Sequence, residues 1–148
     1  MTAYDPPIIA TRLAHLEEVT VKLENEKLLT IDNLASRDML SDATFYRIQT
    51  GIEAIIDIGS HILAEVYKKH PDTYKDVLKE LGRANILSTT LVHENLAMVD
   101  FRNIIVHHYV DIDPEKALPI IEKAPRVFRQ FAEQIATFLN NLEAAGKQ

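Results

Sequence analysis

The chain has 148 residues, of which 47% are hydrophobic and 26% charged, which is enough to bury a core and excludes a disordered polymer. It has no cysteine, so disulfides and thiolate metal sites are excluded, and 4 glycines and 6 prolines are too few for an all-β protein with many tight turns. The formal net charge of -6 argues against a protein that coats nucleic acid, yet it suits a small basic site on an acidic body, or a partner with a basic surface.

The first residues, Met1 to Pro7, lack the basic and apolar regions of a signal peptide, and read as an extended lead. No apolar run approaches the roughly 18 residues that span a bilayer. A single cytoplasmic domain over residues 1–148 is expected, with no membrane association and a frayed tail at 143–148.

From Ile8, apolar residues recur in steps of three and four at Ile9, Leu13, Leu16, Val19, Leu23 and Leu28. This predicts an amphipathic helix over roughly 8–29. Residues 29–36 read either as a loop or as a short helix capped by Thr30 or Asp32. A second long helix starts near Ser36 or Ser41, runs through Phe45, Ile48, Ile52, Ile55 and Ile62, and stops before His70-Pro71.

Polar residues interrupt that second helix. Glu53, Asp57 and His61 are spaced i, i+4, i+8 and form one stripe. Two readings of the stripe stand: a solvated face with an Asp57–His61 pair, or the lining of a cleft or an oligomer interface. As a metal ligand set it is generic, and neither a metal nor a cofactor is expected.

A short helix follows Pro71 and closes at Gly82. Ser88 caps a third long helix that carries Leu91, Leu96, Val99 and Ile105 and ends between His108 and Val110. Asp113 and Pro114 open a fourth, in which Pro125 predicts a kink or break near Ala124. Four long helices and a short one, without repeats, point to an all-α antiparallel bundle.

The end of the third long helix holds the densest set of reactive groups: Arg102-Asn103-Ile104-Ile105-Val106-His107-His108-Tyr109. On a helix, residues five apart sit roughly 140° apart, so Arg102 and His107 do not stack, whereas Asn103 and His107 share a face. The helix end favours a protonated imidazole. Arginine offers a fork that matches phosphate oxygens, and histidine moves protons near neutral pH. RNA cleavage needs both, together with a second proton carrier. One chain supplies only part of that set, so this chemistry calls for a symmetric dimer with a composite site. A bland reading stands beside it: His107 as a core histidine, and Arg102 paired with Asp100 or Glu94.

The same residues fit the Arg-x4-His-x-Tyr motif of the HepT-like toxins in the HEPN superfamily of helical ribonucleases. The flanks Met98 to Phe101 and Val110 to Asp113 resemble that family, as do Arg47-Ile48-Gln49, the run from Ala54 to Ile62, Pro71, and the segment from Tyr74 to Gly82. The resemblance spans most of residues 9–142. It implies a dimeric bundle with a cleft between protomers, metal-independent cleavage of RNA (tRNA or mRNA), and toxicity to the host cell. It makes Arg102 and His107 the catalytic pair and Asn103 a supporting residue that orients His107 or a phosphate. It makes Tyr109 the site where a nucleotidyltransferase antitoxin attaches AMP. Asp57 and His61 match the family's second-helix run as cleft or interface candidates. The alternative is a HEPN subunit without cleavage that only docks a nucleotidyltransferase.

Overall fold

The computed structural model describes residues 6–26 and 29–146. The element order is α1 (Pro6–Asn25), α2 (Ile31–Ser36), α3 (Met39–Tyr67), α4 (Tyr74–Arg83), α5 (Thr89–His107), a 3-10 turn (Tyr109–Asp111) and α6 (Pro114–Gly146). Among the described residues there is no β-strand, and the fold is all-α as the periodicity indicates.

Short polar side chains start most of these helices by accepting a backbone N–H that the first turn leaves unpaired. Thr30 and Asn33 form a reciprocal capping box on α2. Asp38 accepts from Ser41 N at 2.8 Å, Thr73 from Asp76 N at 3.1 Å and Ser88 from Leu91 N at 3.1 Å. Asp113 Oδ1 accepts from Glu115 N at 3.0 Å, with Pro114 as the first helical residue. Each such cap is worth about 1 kcal/mol.

Several boundaries differ from expectation. Helix α1 already includes Pro6 and Pro7, where an extended lead was expected, and ends at Asn25; Met1 to Asp5 and Leu28 lie outside the described residues. Helix α3 is capped by Asp38, between the two serines proposed, because Asp38 is the residue whose carboxylate reaches the N–H three positions on. Gly82 does not close α4. It lies inside the helix, buried against Val92, and the left-handed residue after the helix is Asn85, with φ 60°. Pro119 and Pro125 both sit within a continuous α6, so of the kink or break expected near Ala124 the break does not occur. The helix also extends to Gly146, into the segment expected to fray; Lys147 and Gln148 lie outside the described residues.

Paired residues fix the helix directions. Arg12 meets Asp57 while Thr44 meets Glu26, so α1 and α3 run antiparallel. Glu53 meets Arg102 and Asp42 meets Tyr109, so α3 and α5 also run antiparallel. On the other side Gly51 abuts Phe128 and Tyr67 lies 6.4 Å from Phe138, which makes α3 and α6 parallel. Helix α3 is therefore central and packs on α1, α4, α5 and α6. Its inward face carries Phe45, Ile48, Ile58, Ile62 and Leu63, all essentially without solvent exposure. Burying each such side chain contributes roughly 1.5–3 kcal/mol. Arg129 ties α6 to α1 through Glu24 (2.7 Å from Nε) and Glu17 (3.2 Å from Nη1).

Helices α1 and α5 both pack on α3 but not on each other. The stripe of α3 that contains Asp42, Tyr46, Gln49, Glu53 and Asp57 follows steps of three and four, so one polar ridge runs along the helix. Glu53 and Asp42 of that ridge reach the C-terminal half of α5 and the chain just after it, whereas Asp57 reaches α1.

Candidate functional site

Arg102 leaves α5 towards α3. Its Nη2 donates to Glu53 Oε2 at 2.9 Å and its Nη1 to Asn103 Oδ1 at 3.1 Å. The guanidinium lies 4.9 Å over the Tyr74 ring from α4, a cation–π distance. Gln49 Nε2 donates to the other oxygen of Glu53 at 3.1 Å and fixes the carboxylate. The Arg102 side chain is only 15% exposed, and its Nε is buried without a partner. A cation so enclosed is oriented rather than freely mobile, and it has a donor to spare. Beside it, Thr73, Tyr74, Lys75, Val99, Asp100 and Asn103 line an open cleft of about 380 Å³.

Neither partner named in advance for Arg102 is the one it uses. Asp100 instead pairs with Lys75 at 2.8 Å. Glu53 was visible only as one member of the α3 stripe, and Tyr74 only as the start of the family-like segment that ends at Gly82, with nothing to say that it meets Arg102. Asn103 accepts a hydrogen bond from Arg102, so its amide orients the guanidinium directly.

His107 is the last residue of α5 and is exposed. Its exposure shows that it is not a core histidine, and its side chain makes no hydrogen bond or ion pair with another described residue. His108 caps the helix, with φ −138°, and lies 3.9 Å from Asp111. Because the helix stops at His107, Tyr109 belongs to the 3-10 turn and not to α5, as the sequence had suggested.

Tyr109 is held in a second cluster. Its hydroxyl donates to Asp42 Oδ1 in the first turn of α3. Phe45 meets its ring edge-on at 5.4 Å, and the Arg37 guanidinium lies 5.1 Å over the ring. Arg37 also donates to the carbonyl oxygens of Tyr109 (2.7 Å) and Val110 (2.9 Å), with a longer contact to Ile112 (3.4 Å). Partial burial, and next the bond to the Asp42 carboxylate, push the phenol up to about 12. Arg37 and Asp42 escaped the sequence reading because they lie 67 or more positions away from the residues they hold.

Asp57 is exposed and pairs with Arg12 of α1 at 3.3 Å; His61, one turn on, is half-buried. Glu53 and Asp57 thus face different arginines. Among the described residues no three His, Cys, Asp or Glu side chains gather as a metal cluster. Among the described residues, no helix is long and apolar enough to cross a membrane.

Residues 9–135 match the family described as "Ribonuclease HepT-like". The chain is 30% identical over 143 residues to the "tRNA nuclease HepT" of Aphanizomenon flos-aquae, an alignment covering 97% of each chain. The fold resembles that of the cytosolic protein YutE from Bacillus subtilis, with a TM-score of 0.81 and 17% identity over 95% of this chain and 94% of that one. It also resembles the tri-AMPylated Shewanella oneidensis HEPN toxin solved in complex with MNT antitoxin, with a TM-score of 0.75 and 24% identity over 88% of this chain and 97% of that one.

Proposed function

The chain belongs to the HepT-like ribonuclease family, and from that premise we propose that it is a cytoplasmic endoribonuclease toxin neutralised by a nucleotidyltransferase antitoxin. The observation that carries this reading is the division of labour between Arg102 and His107. The arginine is enclosed and aimed by Glu53, Asn103 and Tyr74, whereas the imidazole is exposed and uncommitted at the end of the same helix.

Those are the properties that cleavage by the neighbouring 2′-hydroxyl asks for. An imidazole takes the 2′-OH proton, the 2′-oxygen attacks phosphorus, and the 5′-oxygen leaves after receiving a proton. A fixed guanidinium stabilises the charge that develops on the phosphoryl oxygens, and does so without reorganising. Arg102 and His107 between them offer both the charge stabilisation and the proton transfer that this step asks for, which supports the reading of metal-independent cleavage. One chain has one such imidazole. A two-fold dimer, with the motifs facing across a cleft, supplies the second imidazole and a second arginine. Asp57 and His61 are proposed to lie along that cleft or interface.

The relative in Aphanizomenon flos-aquae is named for tRNA, and we take RNA of that kind as the substrate to try first, with mRNA second. AMP transfer to Tyr109 would place a negative phosphate two residues from His107 and repel an RNA backbone. The antitoxin would then be both the modifying enzyme and a partner in a hetero-oligomer.

The test is cleavage of tRNA and mRNA by purified protein with EDTA present. Cleavage and toxicity should both be lost in His107→Ala and in Arg102→Ala. A HEPN subunit that merely docks a nucleotidyltransferase would show no cleavage, and both variants would bind the partner as before.

A further inference from the structure

We propose that Asp42 is a catalytic residue of this chain's own modification, taking the phenolic proton as Tyr109 accepts a nucleotidyl group. The inference rests on the reading that Tyr109 is the acceptor, and adds the chemical role of a residue on another helix.

A phenol is a weak nucleophile while it holds its proton, and this one holds it more firmly than usual, being pushed up to about 12. The nucleotidyl group can be received only if the proton leaves as the new bond forms. The Tyr109 hydroxyl already donates to a single acceptor, Asp42 Oδ1. That carboxylate is exposed, and so can pass the proton to solvent afterwards. The ring cannot swing away from it easily: Phe45 stands against its edge, Arg37 lies over its face, and the same guanidinium grips the backbone carbonyls of the turn. Acid, base and approach direction are thus set before any partner arrives.

The step balances with a nucleoside triphosphate held by the nucleotidyltransferase. The Tyr109 O–H bond breaks and its proton moves to the Asp42 carboxylate. The phenolic oxygen bonds to the α-phosphorus, the bond from that phosphorus to the bridging oxygen of the β-phosphate breaks, and pyrophosphate leaves. Asp42 then releases the proton to water. The product carries a phosphodiester anion beside a carboxylate, so the turn is repelled from its seat on α3 and the reverse reaction loses its geometry.

The experiment follows transfer of label from ATP labelled at the α-phosphate, using the full chain and its cognate nucleotidyltransferase. Asp42→Asn keeps an oxygen that can orient the phenol but offers no base. Its kcat should fall about 100-fold or more, with the KM for ATP and the affinity for the partner unchanged, because general base catalysis contributes on the order of 10²–10⁴. Asp42→Ala should fall as far and be restored in part by added formate, a rescue that a merely structural role would not show. A transfer rate in Asp42→Asn within about threefold of wild type, or no rescue of Asp42→Ala by formate, overturns the proposal. Label appearing on Tyr109→Phe as on wild type, or none on wild type, overturns instead the reading of Tyr109 as acceptor.

Discussion

Glu53 Oε2 and Arg102 Nη2 lie 2.9 Å apart and join α3 to α5 across 49 residues of sequence. The pair is partly buried, at 30% and 15% side-chain exposure. Removing the carboxylate alone leaves an enclosed guanidinium whose charge is balanced by nothing as close. Glu53→Ala should therefore destabilise the fold by about 1–3 kcal/mol. Adding Arg102→Ala should cost less than the sum of the two single changes, because the second removes the charge that the first left stranded. Chemical unfolding of the four proteins in a double-mutant cycle measures this, and additivity within about 0.3 kcal/mol would mean that the ion pair is not coupled.

Arg37 grips the turn after the motif through a planar fork, with donors on the carbonyls of Tyr109 and Val110 and its face on the Tyr109 ring. Lysine has the charge but neither the fork nor the flat face. Arg37→Lys should thus loosen residues 109–112 while leaving the helices intact. The expected result is faster hydrogen exchange at the amides of Asp111 and Ile112, which donate to His108 and Tyr109 within the turn, with the exchange of α3 and α6 unchanged.

The positions of the helices were legible because a 3.6-residue period is a local property: Ile9, Leu16 and Val19 mark α1 by spacing alone, and Ser88 and Asp113 cap their helices where short polar side chains should. The motif was legible for a related reason, since its residues lie within eight positions. What escaped was set by packing between helices. Asp42, Arg37 and Tyr74 reach the motif from other elements, and no periodicity records which carboxylate a guanidinium will meet. Tyr109 was misplaced onto α5 because the helix end is decided at His108, whose φ of −138° breaks the period without a glycine or proline to announce it.

A Cβ on Gly51 would lie 2.8 Å from Phe128 Cζ, and nearer still to Cε2, where α3 and α6 come together. Phe128 is fully buried, so its ring has nowhere to retreat. Gly59 also faces a close neighbour, a methyl of the equally buried Leu81, but a methyl at the end of an aliphatic chain yields by a smaller shift than a whole aromatic ring. Gly51→Ala should cost about 1–3 kcal/mol of stability and Gly59→Ala distinctly less. Thermal denaturation of the two variants side by side gives the ranking, and equal losses would mean that the Phe128 ring can move.

Tyr109 is protonated over a wider range than a free tyrosine, its phenol being pushed up to about 12 by partial burial and by the bond to Asp42. A group whose folded value lies above its unfolded value, here near 10, stabilises the fold fully below the unfolded value. That contribution is lost as pH rises between about 10 and about 12, because the phenolate of the unfolded chain forms first. Absorbance at about 295 nm, which reports phenolate, should therefore show one late-titrating tyrosine in the native protein that is absent in Tyr109→Phe. Asp42→Asn should bring that titration earlier without erasing it, since burial, the larger cause, remains. If instead the late step survives in Tyr109→Phe, a different tyrosine holds its proton, and the cluster of Asp42, Arg37 and Phe45 does not perturb Tyr109 as its geometry requires.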